Sequence, residues 1–390
     1  MILKFENKEE PLNCINDRKI LEAAAKLLRN DNVVAFPTET VYGLAANALS
    51  ENSVLKIFKV KGRPSDNPLI VHISSFKMLC DLFPSTDSKI IPNIPRIYMN
   101  ALKKFWPGPL TILLPKPSTI PYIVTANHDL PANPIARALI DVCNFPLAAP
   151  SANKSGRPSP TKAEHVFSDL GSEIDLILDG GSCETGVEST VLDGTANPPT
   201  ILRPGGITWE MLKEVEGFEN VKIYQKSNTN VHENFELNPT TPGMKYRHYT
   251  PDAKVIVFLV NDYTTESNLK LFNLIQEEIK KITENITNDE EKVDFIKNKI
   301  GIMARGNRNY QETFNDINIY RLELEQEGST SDCENYCNQL KTIAKNIFNG
   351  LREMESLKMD YILVEGVVEE NEGVAIMNRL KKAASKLVQV

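Results

Sequence analysis

The side chains best suited to chemistry fall in a few short loops. Thr38, Thr40 and Tyr42 surround Gly43, and a second stretch gathers Lys56, Lys59, Lys61 and Arg63, with Asp66 its only acid and Pro64, Asn67 and Pro68 marking a turn. Ser151, Asn153, Ser155 and Ser159 follow an apolar run, Glu188, Ser189 and Thr190 follow a glycine-rich segment, and Arg203 stands at the end of another apolar run. Such hydroxyls, amides and cations suit an enzyme that positions a polyphosphate against a small polar partner, because phosphoryl and nucleotidyl transfer rest on placement and charge stabilisation. The motifs HExxH, GxGxxG, GxSxG and paired CxxC are absent, so metalloprotease, dinucleotide and serine-hydrolase chemistry lack their signatures. Gly181 and Gly186 have Walker spacing, but Val187 stands where the lysine of a phosphate loop is required.

Taken singly, each group also has a plainer reading. The basic cluster reads as a solvated face, Thr38 and Thr40 as caps of a following helix, His72 as a satisfied core or edge histidine, and Ser151 to Asn153 as an ordinary turn. Only their joint occurrence favours a site.

The elements that must position these loops alternate between strand and helix. A helix capped by Asn16 or Asp17 carries Ile20, Leu21, Ala24, Leu27 and Leu28 on one face, and β-branched or apolar runs predict strands at Val33 to Phe36, Leu69 to Ile73, Leu110 to Leu114, Asp175 to Leu178, Val191-Leu192 and Ile201-Leu202. Beyond a helix at Trp209 to Val215 and a strand at Val221 to Tyr224, the composition turns polar in QKSNTNVHENFELNPTTPG, a linker that ends in the aromatic, cationic PGMKYRHYTP. A second alternation follows, with strands at Val255 to Val260, Ile300 to Ala304, Ile317 to Leu324 and Tyr361 to Val364. Helices fall on Leu271 to Ile282 and Asp332 to Met354, with a final basic one from Ala375 to Val388; TNDEEKVDF reads as a solvated insertion or helix start. The expected organisation is an α/β domain over residues 1–225, a linker or lid over 226–251, and a smaller α/β domain over 252–390.

Composition agrees with two domains: the chain has 390 residues, 41% of them hydrophobic. A net charge of -7 argues against coating nucleic acid over the whole surface, so anions must be bound locally. Six scattered cysteines suggest neither a zinc ribbon nor a disulfide framework. The N-terminus has no secretory or transit pattern, and no apolar run reaches the roughly 18 residues of a spanning helix, so a cytoplasmic protein without membrane contact is expected.

PTETVYGL, KGRPSDNPLIVH, FWPGPLT, APSANKSGRPSPT, GVESTVLD, ILRPGG and PGMKYRHYTP, in that order, resemble the Sua5/YrdC family in its long two-domain form. The resemblance implies a YrdC-like twisted-sheet domain with a basic concave cleft, followed by a smaller Rossmann-like domain. It also implies an enzyme that joins L-threonine, bicarbonate and ATP into L-threonylcarbamoyl-AMP and pyrophosphate, for N6-threonylcarbamoyladenosine in tRNA by way of a downstream transferase. Mg²⁺ is expected on the triphosphate, with no dedicated protein metal site. By resemblance, Lys61 and Arg63 are catalytic cations, and Arg63, Asn67, Ser151, Asn153, Ser159 and Arg203 hold ATP. Thr40, His72, Ala149 and Ser189 hold threonine, and Tyr246, Arg247 and His248 belong to a lid, Tyr246 and His248 contacting ATP. One departure stands out: the family's TVAVRMPxHP-type strand, whose arginine lies by the threonine carboxylate, is here the shorter VTANHDLPANPIA, with Asp129 at the arginine's place and Arg137 as a candidate substitute. The alternative is a non-catalytic module binding double-stranded RNA or tRNA on the same surface.

Overall fold

Backbone pairing divides the chain into two α/β units in a computed structural model that describes residues 1–83, 94–124, 127–224, 248–287, 299–305, 318–323 and 333–390. Unit 1 comprises Met1–Ser155 and Ser159–Tyr246, and unit 2 comprises Gly156–Pro158 and Arg247–Val390. Most of the linker, including Tyr246 and Arg247, and nearly all of TNDEEKVDF lie outside the described residues.

Unit 1 is built on a mixed sheet of eleven strands. In chain order these are β1 (Ile2–Lys4), β2 (Val34–Phe36), β3 (Gly43–Asn47), β4 (Ile70–His72), β5 (Leu110–Leu113), β6 (Asn127–Asp129), β7 (Leu147–Ala148), β8 (Ile177–Asp179), β9 (Thr190–Asp193), β10 (Thr200–Arg203) and β11 (Lys222–Ile223). Across the sheet they run β1-β8-β2-β3-β7-β4-β6-β5-β9-β10-β11. The helices are α1 (Ile15–Arg29), α2 (Glu51–Lys61), α3 (Phe76–Leu82), α4 (Tyr98–Phe105), α5 (Pro134–Cys143), α6 (Ala163–Leu170) and α7 (Trp209–Lys213).

Alternate strand residues face different cores, as the pleat requires. Val34 and Phe36 pack in a cluster with Leu21, Ala24, Ala25 and Leu28 of α1 and Ile135, Leu139 and Ile140 of α5. Ala35 and Leu44 belong to a second cluster, with Val54 and Ile57 of α2, Tyr98 and Leu102 of α4 and Val166 of α6. Asp17 does not cap α1, whose N-cap is Cys14. Its carboxylate instead accepts from the amides of Glu6 (2.9 Å) and Asn7 (2.7 Å), tying the N-terminal segment to the helix.

Unit 2 contains β12 (Lys254–Leu259), α8 (Thr265–Thr287), β13 (Lys299–Ala304), β14 (Asn318–Glu323), α9 (Cys333–Ser356), β15 (Tyr361–Glu365), α10 (Glu372–Ala383) and β16 (Lys386–Gln389). Its five strands, ordered β14-β13-β15-β12-β16, are all parallel, and Leu271, Ile275, Ile279 and Ile282 of α8 pack on β12 and β13. The last helix is shorter than its sequence pattern suggests. Ser385 turns both its amide and its hydroxyl onto the carbonyl of Val255, each at 2.8 Å, and the β-branched end of the chain then pairs with β12.

Candidate active site

The turn between β2 and β3 carries the first hydroxyls. Gly43 is required at its exit, because a Cβ there would lie 2.8 Å from the Phe36 ring. Thr38 and Thr40 are not helix caps, since Ser50 caps α2. The Thr38 hydroxyl donates to the Val41 carbonyl (2.6 Å) and lies 2.8 Å from the Thr40 hydroxyl. A hydroxyl has one proton, so Thr40 donates to Thr38 and keeps its own lone pairs as acceptors. The loop before β9 is tied to this turn by Thr185 N to Glu39 O (2.8 Å) and Gly186 N to Thr40 O (3.1 Å).

Strand register assembles a polar row beside the turn. His72 of β4 is paired with Asp129 of β6, and Asp129 with Thr111 of β5, so the three side chains share one face. The Thr111 hydroxyl donates to Asp129 Oδ2 at 3.2 Å, which makes Ser189 the donor across the 2.8 Å contact between the Ser189 and Thr111 hydroxyls. Arg203 Nη2 then donates to Ser189 Oγ (3.1 Å), and Nε and Nη2 both hold the Ser189 carbonyl. Proton donation thus runs from guanidinium through two hydroxyls to a carboxylate. Ala149 lies behind Gly43, its amide bonded to Ile70 O.

Burial sets the charges. His72 is 8% exposed, with Nδ1 lacking a hydrogen-bond partner, and desolvation pulls its pKa down to about 4, so the ring is neutral near pH 7. Asp129 is 4% exposed, and its carboxyl is pushed well above the usual range by burial and then by the charge of Glu39, against the favourable Thr111 hydroxyl and Arg203. Glu39 is itself raised by burial, although the amides of Asn133 and Ala132 favour its charged form.

The basic cluster divides in two. Lys56 and Lys59 are exposed on α2, as the solvated-face reading has it, whereas Lys61 is 2% exposed at the helix end, where Gly62 adopts φ 60°. Lys61 Nζ donates to the carbonyls of Ser151 and Asn153, and its own carbonyl accepts from Ser155 N at 2.8 Å. Ser151 Oγ donates to Asn153 Oδ1, and Ser159 Oγ to Glu188 Oε1 (2.7 Å). Arg63 folds over its own turn, with Nη2 on Asn67 Oδ1 and on the Pro68 carbonyl, each at 2.7 Å. Buried Asn67 Nδ2 has no hydrogen-bond partner.

Unit 1 therefore brings together Thr40, His72, Ala149, Ser189 and Arg203 on one side, and Lys61, Ser151 and Asn153 on the other, with Arg63–Asn67 next to Lys61 in the chain. His248 belongs to unit 2, its ring 5.6 Å from that of Tyr249. Arg137, the candidate substitute for the missing arginine, is exposed on α5, outside the polar row. Sequence reasoning missed Glu39 and Thr111. The available signals were a glutamate set between two threonines and a lone hydroxyl inside the apolar run Leu110–Leu113.

A mixed-sheet unit with an internal carboxylate–hydroxyl–guanidinium row, joined to a parallel-sheet unit, defines the two-unit α/β class to which the sequence motifs pointed. The chain belongs to the Sua5/YrdC family. The family profile Sua5_yciO_yrdC, described as "Telomere recombination", matches residues 26–205, and Sua5_C, described as "Threonylcarbamoyl-AMP synthase, C-terminal domain", matches residues 207–385. The threonylcarbamoyl-AMP synthase of Schizosaccharomyces pombe is 43% identical over 98% of this chain and 92% of its own length. That of Pyrococcus abyssi is 41% identical over 93% of this chain and 94% of its own. A solved structure of P. abyssi Sua5 complexed with L-threonine has a TM-score of 0.75 at 37% identity and covers 100% of this chain and 99% of that one. No helix of the described residues is long and apolar enough to cross a membrane.

Proposed function

We propose that the polar row from His72 to Arg203 and the loops around Lys61 are two halves of one adenylate-forming site. The protein is an enzyme that makes L-threonylcarbamoyl-AMP, the product for which its full-length relatives are named. On our reading, the amine of L-threonine and bicarbonate give an N-carboxylate, whose oxygen attacks the α-phosphate of ATP as the bond to pyrophosphate breaks. Positioning is the main task, because the carbamate is a weak nucleophile and charge grows on the leaving group. Thr40, His72, Ala149 and Ser189 would line the threonine side, while Arg63, Asn67, Ser151, Asn153, Ser159 and Arg203 would hold the nucleotide. Lys61 and Arg63 would keep positive charge beside those loops while fixing their shape. Mg²⁺ would enter with the triphosphate as part of that substrate. The product would pass to a transferase acting on tRNA, and the cytoplasm is the proposed compartment.

The observation that supports this most is the buried hydroxyl row, which suits a small polar ligand. A double-stranded RNA surface would instead draw on exposed cations, and here buried Lys61 is committed to carbonyls. The test is pyrophosphate release from ATP with and without threonine and bicarbonate. Release that requires both is expected; equal release without threonine overturns the proposal.

A further inference from the structure

The carboxyl of Asp129 is a buried acceptor that the assignments above leave without a role. Oδ2 takes the Thr111 hydroxyl at 3.2 Å, while Oδ1 has no hydrogen-bond partner. One strand away, at the spacing of about 4.8 Å between neighbouring strands, His72 lies on the same face, its ring beside the carbonyls of Ile70 and Leu147 and its Nδ1 without a hydrogen bond of ordinary geometry. Unsatisfied polar atoms inside a domain are few, and a carboxylate oxygen, which can only accept, marks a place where a ligand donor belongs. The amino-acid substrate brings such a donor in its α-ammonium, which must lose a proton before its nitrogen can attack a carbonyl carbon.

Resting on the function proposed above, we infer that Asp129 receives the α-ammonium of the amino acid and takes one of its protons. The step balances: ammonium, bicarbonate and carboxylate yield carbamate, water and carboxylic acid. The N–C bond forms as a C–O bond of bicarbonate breaks, and the departing oxygen leaves as water with the second amine proton. The acid form of Asp129 then returns its proton to solvent after turnover. The groups facing Asp129 fit this work. Glu39 of the β2–β3 turn and the desolvated site raise its basicity, His72 on β4 is neutral, and the charge of Arg203 and the Leu130 amide oppose the rise with smaller effects than burial and Glu39. A carboxyl made more basic is a better proton acceptor at neutral pH.

The experiment compares wild type, D129N, D129E and E39Q in threonine-dependent pyrophosphate release from pH 5 to 9, with ATP binding and melting temperature measured on each. D129N should lose about 100-fold or more in kcat/KM for threonine, keep its ATP affinity, and lose the acid limb of the profile. D129E should recover part of the rate. In E39Q the acid limb should move about one pH unit lower, because a like charge beside Asp129 has gone. D129N within threefold of wild type, or an acid limb unmoved in E39Q, overturns the inference while leaving the enzyme's function intact. If D129N does not fold, the E39Q profile still decides. A wild type with no threonine dependence overturns the function and this step with it.

Discussion

Protonating His72 should destabilise unit 1, and the magnitude follows from its burial. An imidazole held at about 4, against 6.5 when exposed, favours the neutral folded form by about 3 kcal/mol, at 1.36 kcal/mol for each pH unit. The folded pKa is the lower one, so the unfolded chain binds the proton first. The contribution is complete above pH 6.5 and is lost as pH falls through about 4. Asp129 and Glu39 act in the opposite direction, since a raised carboxyl favours the folded state as pH falls, and the wild-type curve alone will understate the effect. The informative quantity is the difference between wild type and His72→Gln, which cannot titrate. Both tryptophans, Trp106 and Trp209, lie in unit 1, so fluorescence-monitored urea unfolding reports that unit. Between pH 7 and 4 the stability of wild type relative to H72Q should fall by about 3 kcal/mol. Curves that stay parallel within about 0.5 kcal/mol would show that His72 is not held neutral by burial.

Other perturbations address separate links in the site. Thr40→Val removes the acceptor lone pairs at nearly constant volume, so KM for threonine should rise roughly tenfold, as expected for a hydrogen bond to a charged group, with KM for ATP little changed. Steady-state kinetics with each substrate varied in turn would check this. Lys61→Met strips two buried carbonyls of their cationic donor. A loss of about 1–3 kcal/mol in urea unfolding and weaker ATP binding should appear together. Gly205→Ala would place a Cβ 2.2 Å from the Glu188 carbonyl oxygen and 2.4 Å from the Ser189 carbonyl carbon, so backbone must move where Ser189 is set. Activity should fall with a destabilisation of at least about 2 kcal/mol, and a melting curve matching wild type would contradict the packing described.

The elements with strong local patterns were readable from the chain: the amphipathic α1 and α8, and the apolar β2, β5 and β12, all fall where periodicity puts them. What periodicity cannot supply is partnership across strands. Asp129 meets His72, 57 residues earlier, and Thr111, 18 residues earlier, through register alone, and a slip of one residue would turn its carboxyl to the other face. Hence Asp129 read as a missing arginine, and Thr111 and Glu39 did not read at all. The lysine cluster failed differently. Spacing placed four cations together, but only the end of α2 and its left-handed glycine decide that Lys61 turns inward while Lys56 and Lys59 face water. The last strand was hidden because the hydrogen bonds of Ser385 to Val255, which end the helical pattern, involve a residue 130 positions away.

The pairing of Glu39 with Asp129 separates site from scaffold. Both carboxyls are raised by burial, and the Glu39 charge raises Asp129 further, so their ionised forms are costly, an arrangement a core chosen for stability alone would replace with apolar side chains. The charge of Arg203 opposes the rise, with an effect on Asp129 that ranks below desolvation, the Glu39 charge and the Thr111 hydrogen bond. A row with its guanidinium and its carboxylate at opposite ends, joined by hydroxyls whose protons all point one way, is a poor salt bridge and a good receptacle for a ligand that carries a proton to be removed. The unpartnered Oδ1 of Asp129 lies at the carboxylate end, where that ligand's nitrogen is needed.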